Sequence, residues 1–224
     1  LAGSFLSILF FITIIVLLIT PVFILIFAPG FYFDDYKRDI AVNVLQIMFP
    51  YLALISLVAF AGGIQNTHER FSLPAATPII FNLCLIFAAV VIAPLYEMPI
   101  YVLAWGVLLA GIIQLFIQLF PLKAIDRLPV PKFDFSNTGS RKVFKLMIPA
   151  IFAGGIIQIN LLVDTIFASL LQTGSPTWLY VSDRLIQLPM GIFAIAIGTV
   201  LLPTLSKINI ENNLNEFAYQ VKKG

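Results

Sequence analysis

Several long stretches of this chain contain only uncharged, mostly apolar residues, and the last of them limits the fold most tightly. No formal charge occurs between Leu185 and Pro203, while Asp183 and Arg184 stand immediately before them. At about 1.5 Å per residue, a helix from Asp183 to Pro203 is roughly 30 Å long, which is the hydrocarbon thickness of a bilayer. The stretch predicts a membrane-spanning helix with a charged pair at its beginning.

The composition extends this interpretation to the whole chain. Hydrophobic residues make up 60% of it and charged residues only 11%, against about 25% charged residues in ordinary soluble domains. The apolar runs are continuous and lack the two-residue alternation of a barrel strand. The predicted fold class is all-α, a polytopic transmembrane helical bundle with six spans. These spans cover about 5–27, 40–66, 74–93, 100–120, 146–171 and 183–203.

Prolines and polar residues predict where the spans begin and bend. Pro21 predicts a bend in the first span, because a proline cannot donate the helical hydrogen bond at its position. Asp39 is the expected N-cap of the second span, which contains Pro50. Pro74 suits the first turn of the third span.

The basic residues predict the orientation of the chain in the membrane. Alternating the connectors places ten of them on one side of the bilayer and only Lys37 and Arg38 on the other. Because basic residues concentrate in cytoplasmic loops, the 67–73 turn, the 121–145 connector and the C-terminal tail are expected in the cytoplasm. The ten are Arg70, Lys123, Arg127, Lys132, Arg141, Lys142, Lys145, Lys207, Lys222 and Lys223.

Several classes of function are disfavoured by what the sequence lacks. It contains no Walker loop, no Gly-x-Ser-x-Gly and no His-Glu-x-x-His motif, so we do not expect an enzyme. With Cys84 as its single cysteine and His68 as its single histidine, an internal disulfide is excluded and a cysteine or histidine metal site is disfavoured. The chain begins without methionine, and we expect it to be an internal portion of a longer membrane protein.

Two charged residues at membrane depth are the candidate site residues. Asp164 lies within the fifth span, one turn after Asn160. An intramembrane carboxylate is costly, so it indicates either a cation ligand or proton carrier, or a protonated acid bonded to a neighbouring helix. Arg184 either faces a polar cavity or extends to the lipid headgroups. Gln187 shares its face and, with Arg184, could contact a phosphate, which a guanidinium binds bidentately.

Seven short phrases along the chain can be compared with known membrane proteins. They are, in order, Ala28–Phe31, Phe49–Leu52, Gly62–Thr67, Arg70–Ala75, Thr165–Ser169, Ser182–Leu185 and Gly198–Ser206. In this order they resemble the MurJ (MviN) family of lipid II flippases, which belongs to the multidrug/oligosaccharidyl-lipid/polysaccharide exporter superfamily. The similarity extends from near residue 25 to residue 207.

The resemblance implies a place for this chain in a two-lobed transporter of fourteen helices, of which it would hold the third to the eighth. Residues 1–122 would form four spans of the first lobe and 123–145 a basic cytoplasmic connector. Residues 146–205 would form the first two helices of the second lobe, and 206–224 a cytoplasmic tail or linker. The protein would be a multi-pass, monomeric protein of the bacterial inner membrane that serves peptidoglycan synthesis.

The resemblance also implies roles for the candidate residues. Arg184 matches a family arginine of the central cavity that engages the lipid II pyrophosphate, and Gln187 falls where many members have a glutamate. Asp164 matches an aspartate that helps some members to bind sodium, the one ion expected; no other cofactor is implied. A related exporter of another lipid-linked oligosaccharide or of drugs, and a non-transporting membrane scaffold, are the alternative functions.

Overall fold

The computed structural model describes residues 2–124 and 138–189. Every regular element in these two ranges is a helix, and no strand occurs in them. The chain divides into two compact units, Leu1–Leu170 and Leu171–Gly224. The α-helices are α1 Ala2–Leu18, α2 Thr20–Phe27, α3 Pro29–Tyr32, α4 Asp35–Met48, α5 Pro50–Thr67, α6 Ser72–Phe87, α7 Pro99–Ala124, α8 Thr138–Leu170 and α9 Ser175–Pro189.

Three stretches of the first unit are long and apolar enough to cross a membrane. They are Asp35–Thr67 (helices α4 and α5), Ser72–Leu95 (α6 and its continuation) and Pro99–Ala124 (α7). Together with the bent pair α1 and α2, these correspond to the first four predicted spans. The all-α membrane class is confirmed for the described residues, whereas the count of six spans stays a prediction.

The first predicted span is broken. Helices α1 and α2 meet at an angle of 79°. Pro21 cannot donate to the carbonyl of Leu17, which is four residues earlier. The Thr20 hydroxyl donates to that carbonyl at 3.0 Å and to the Val16 carbonyl at 2.9 Å. The bend predicted at Pro21 is confirmed, and a buried threonine satisfies the carbonyls that the break exposes.

The N-cap predicted for the second span is wrong. Helix α4 begins at Asp35, four residues before Asp39, and its N-cap is Asp34. The Asp34 carboxylate accepts a hydrogen bond from the Lys37 amide at 3.1 Å. That bond, and less strongly the Lys37 ammonium, lowers the pKa of Asp34 below its ordinary value. Residues 35–39, which precede the predicted second span, are therefore helical.

Helix α6 loses its regular geometry towards its C-terminal end. Residues Ala88–Ile92 form a π-helical turn, and Ala93–Leu95 form a 3₁₀ turn that contains Pro94. Ala88 packs against Gly106 of α7, where an added Cβ would lie only 2.9 Å from the Ala88 Cβ. An apolar groove of about 920 Å³ follows this contact between α6 and α7.

A cluster of buried polar side chains joins α5, α6 and α7 within the apolar bundle. The Gln65 amide donates to the side-chain and backbone oxygens of Gln118, and Gln118 donates to the Thr77 hydroxyl at 2.9 Å. Gln114 donates to the Thr77 carbonyl at 2.9 Å. All four side chains are buried. The i, i+4 spacing of Gln114 and Gln118 placed them on one face, and that face packs against α5 and α6.

The fifth predicted span lies within a longer helix. Helix α8 begins at Thr138, so residues 138–145, which we expected in the connector, are helical, as are Lys123 and Ala124 at the end of α7. Residues 125–137 of the connector lie outside the described residues. Of the sixth predicted span, α9 holds the part up to Pro189. Residues 190–203 and the predicted tail 206–224 lie outside the described ranges.

Helix α5 ends in a Schellman motif that has an unusual residue at its turning point. The Arg70 amide donates to the Gln65 carbonyl at 3.0 Å and the Glu69 amide to the Asn66 carbonyl at 3.1 Å. This geometry requires a left-handed residue after the cap, and Glu69 has a φ of 59°. Glycine is usual there, because a side chain in this conformation costs about 1–2 kcal/mol.

We therefore expect Glu69→Gly to stabilise the folded protein by about 0.5–1 kcal/mol, the relief of left-handed strain less the added backbone entropy of glycine. Thermal unfolding of the full-length protein in detergent measures the change. Glu97→Gly is the matched control, since Glu97 is also an exposed glutamate and is not among the described residues with positive φ. An unfolding temperature that falls as much in Glu69→Gly as in the control would contradict the strain.

Candidate functional site

Helix α9 brings the predicted residues Arg184 and Gln187 into contact. Their i, i+3 spacing places them on one helical face, and the Arg184 Nη1 donates to the Gln187 Oε1 at 3.1 Å. The Arg184 guanidinium also lies over the Tyr180 ring, 5.0 Å from its centroid. The hydrogen bond and the cation–π contact hold the guanidinium on one face of the helix.

The charge of Arg184 is not neutralised by a described carboxylate. The ion pairs among the described residues involve Lys37 and Arg38 of α4 with nearby aspartates, and none includes Arg184. Gln187 is a neutral partner, so its hydrogen bond orients the guanidinium and leaves the positive charge in place. Arg184 and Gln187 are both exposed in the second unit. An oriented, uncompensated guanidinium is suited to binding a phosphate or pyrophosphate oxygen.

Asp164 occupies the surface of α8 in the first unit. Its side chain is exposed, as are those of Asn160 and Gln158. The neighbouring Thr165 hydroxyl donates to the Leu161 carbonyl at 2.7 Å and is therefore engaged with the backbone. No ion pair among the described residues includes Asp164. The alternatives of a cation ligand and a protonated acid both stay open.

The oxygen donors at Asp164 are of the kind that a sodium ion binds, but they are too few to hold the ion alone. Carboxylate and amide oxygens are the ligands that hard cations prefer, and such cations take several of them. Asp164 and Asn160 supply one of each within a single turn. No group of three or more His, Cys, Asp or Glu residues that could hold a metal occurs in the part of the chain that the structure describes. Further oxygen ligands would have to come from elsewhere.

A close contact between α3 and the end of α8 was not predicted from the sequence. The Gly30 amide donates to the Ser169 hydroxyl at 3.2 Å. A Cβ at Gly30 would lie far inside van der Waals distance of the Ser169 carbonyl oxygen. Pro29 and Gly30 form the first turn of α3, and only glycine lets the two backbones approach this closely. The Pro-Gly pair signals a turn but not the partner of that turn.

We expect Gly30→Ala to destabilise the protein by about 1–3 kcal/mol, because the added methyl group forces α3 and α8 apart. Gly63→Ala is the control: Gly63 is exposed in the middle of α5 and an added Cβ meets nothing within 4 Å. That change should stabilise the helix by up to about 1 kcal/mol. Thermal unfolding of the two full-length variants separates the effects. Equal stability of both would refute the close contact.

Comparison with known proteins places the whole chain in one family. The family model described as "Lipid II flippase MurJ" matches residues 1–224. The "Lipid II flippase MurJ" of Burkholderia cenocepacia is 38% identical over 195 residues, which are 85% of this chain and 38% of that protein. The "Probable lipid II flippase MurJ" of Vibrio cholerae is 43% identical over 188 residues, 84% of this chain and 36% of that protein.

A third relative gives the same result. The "Probable lipid II flippase MurJ" of Buchnera aphidicola subsp. Acyrthosiphon pisum is 42% identical over 191 residues, 85% of this chain and 37% of that protein. The chain thus spans less than two fifths of the length of these relatives. Its apolar helices and these bacterial relatives identify a bacterial membrane protein. The chain belongs to the MurJ lipid II flippase family.

Proposed function

We propose that the protein containing this chain moves lipid II from the inner to the outer leaflet of the bacterial cytoplasmic membrane. The observation that carries this proposal is the family match across residues 1–224. Arg184 also supports it, because no ion pair among the described residues includes its guanidinium and a guanidinium binds pyrophosphate oxygens through charge-assisted hydrogen bonds. On this proposal the protein is a transporter of peptidoglycan synthesis and works as a monomer.

The architecture we propose has fourteen helices in two lobes, six of them in this chain. Residues 1–122 supply four spans of the first lobe, and 146–205 supply the first two helices of the second. The 123–145 connector and the 206–224 tail lie in the cytoplasm, where their basic residues are favoured. This orientation also fits Lys37 and Arg38, the exceptions on the outer side, since both are paired with aspartates.

The mechanism we propose is alternating access. Arg184 binds the pyrophosphate of lipid II in a central cavity while Gln187 and Tyr180 hold its guanidinium in place. The undecaprenyl tail stays in the surrounding lipid throughout. The orientation above places α3 and the C-terminal end of α8 at the outer side of the membrane. Their contact at Gly30 and Ser169 would close that side and would open when the headgroup is released.

Asp164 is the residue of this chain that we propose as a sodium ligand, with Asn160 as a neighbouring oxygen donor. Sodium would neutralise a carboxylate that is otherwise costly at membrane depth. Further ligands would come from parts of the protein beyond this chain. Binding of the ion would therefore stabilise the contacts between α8 and those parts.

We expect Arg184→Ala to abolish growth and the exposure of lipid II on the outer leaflet, because the pyrophosphate loses its charge-assisted hydrogen bonds. The full-length protein is expressed in cells depleted of their own flippase, and membrane levels are checked. Arg184→Lys keeps the charge but loses the planar fork, so we expect activity reduced by about tenfold or more. Arg38→Ala is the control, since Arg38 is paired with Asp35 outside the proposed cavity.

Each of the other outcomes would give Arg184, or the whole protein, a different role. Full activity of Arg184→Ala would make Arg184 an interfacial anchor. An unmutated protein that sustains growth without exposing lipid II would favour an exporter of a different lipid-linked molecule. A scaffold that does not transport would tolerate neutral substitutions at Arg184 and Asp164 alike.

The sodium proposal gives a separate expectation. Sodium chloride should raise the unfolding temperature of the purified full-length protein more than potassium chloride at equal ionic strength, and Asp164→Asn should remove the difference. Asp39→Asn is the control, because Asp39 is an exposed aspartate at the surface of α4. A sodium effect that survives in Asp164→Asn would overturn the assignment of this residue.

A further inference from the structure

A polar cavity lies at the turn between α5 and α6, and none of the candidate residues Asp164, Arg184 and Gln187 lines it. Its volume is about 490 Å³, and its lining includes Gln65, Glu69, Arg70, Phe71, Ser72 and Pro121. The turn joins two apolar membrane-spanning stretches, Asp35–Thr67 and Ser72–Leu95. The cavity is therefore at the depth of the lipid headgroups, on the side that the basic residues assign to the cytoplasm.

The turn itself carries a sign of function. Glu69 occupies the left-handed position of the Schellman motif, with φ 59°, where glycine would serve the backbone better. A strained non-glycine residue of this kind is found preferentially where its side chain has a task. The Glu69 side chain is exposed beside the cavity. A glutamate at this position therefore supplies a carboxylate to the cavity, although it makes the backbone less stable than a glycine would.

Opposite charges stand next to each other at the cavity without neutralising each other. Glu69 and Arg70 are adjacent, and neither takes part in an ion pair among the described residues. Gln65, at the buried wall, has an Oε1 atom that accepts no hydrogen bond from a described group. A ligand with one anionic acceptor group and one cationic donor group would satisfy Arg70 and Glu69 together.

We propose that this cavity binds the phosphoethanolamine headgroup of a membrane phospholipid of the inner leaflet. Arg70 contacts the phosphate, for which a guanidinium is well shaped. Glu69 accepts hydrogen bonds from the ammonium. Phe71, 58% exposed, lies beside the acyl chains. The bound phospholipid is a structural partner of the α5–α6 hairpin and is distinct from the transported substrate.

The test is native mass spectrometry of the full-length protein with phosphatidylethanolamine, phosphatidylcholine or phosphatidylglycerol of identical acyl chains. We expect phosphatidylethanolamine to bind about five- to tenfold more tightly than the other two, because only it offers both a phosphate and N–H donors. Glu69→Gly and Arg70→Gln should each abolish this preference. Glu69→Gly keeps the turn and relieves its strain, so its loss of binding cannot come from misfolding. Arg38→Gln is the matched arginine control.

Four results would overturn the proposal. Equal binding of phosphatidylglycerol would mean that the ammonium is not recognised, and equal binding of phosphatidylcholine that its N–H donors are not. An unchanged preference in Glu69→Gly would remove the carboxylate from the site. Stabilisation of lipid-free protein by soluble phosphoethanolamine, to the same degree as by the lipid, would identify a soluble zwitterion as the occupant. None of these results depends on lipid II transport.

Discussion

The structure depends on one constraint, that a backbone inside a bilayer must find all its hydrogen-bond partners within the protein. Helices meet this constraint along most of the described chain, and its local exceptions are repaired by polar side chains. At the α1–α2 break the Thr20 hydroxyl bonds the carbonyl that Pro21 cannot. Between α5, α6 and α7 the buried glutamines bond each other and Thr77 instead of water. Polar residues in these apolar helices therefore serve packing.

The sequence predicted the helical class, the first four apolar stretches and the break near Pro21, because each follows from local hydropathy or from a missing amide. It placed the second N-cap wrongly, because Asp34 and Asp39 are equally good caps by residue type. Which of them caps the helix depends on where the helical turn begins. The left-handed Glu69 could not be predicted, since the residue type argues against that conformation.

The contacts of the candidate residues also differ in how well the sequence predicts them. Arg184 and Gln187 lie within one helix, so helical spacing was sufficient to predict that they share a face, and the structure adds the hydrogen bond between them. The contact between Gly30 and Ser169 joins residues 139 positions apart, and no periodicity or cap encodes such a pairing. The proposed role of Asp164 belongs to this second kind, because a sodium site would take its oxygens from several segments. The Asp164 carboxylate on the surface of α8 identifies only one of those segments.

The π-helical turn at Ala88–Ile92 has a consequence for how chains of this family can differ from one another. A turn with i→i+5 bonding holds one residue more than an α-helical turn, so every side chain beyond it is rotated by about 100° about the helix axis. The face of α6 that meets α7 before the turn is thus continued after it by a different set of positions. Substitutions that keep the turn leave this phase unchanged, whereas the loss of a single residue there would rotate the residues that follow by the same angle. The phase of this end of α6 therefore depends on the number of residues in the turn more than on their type.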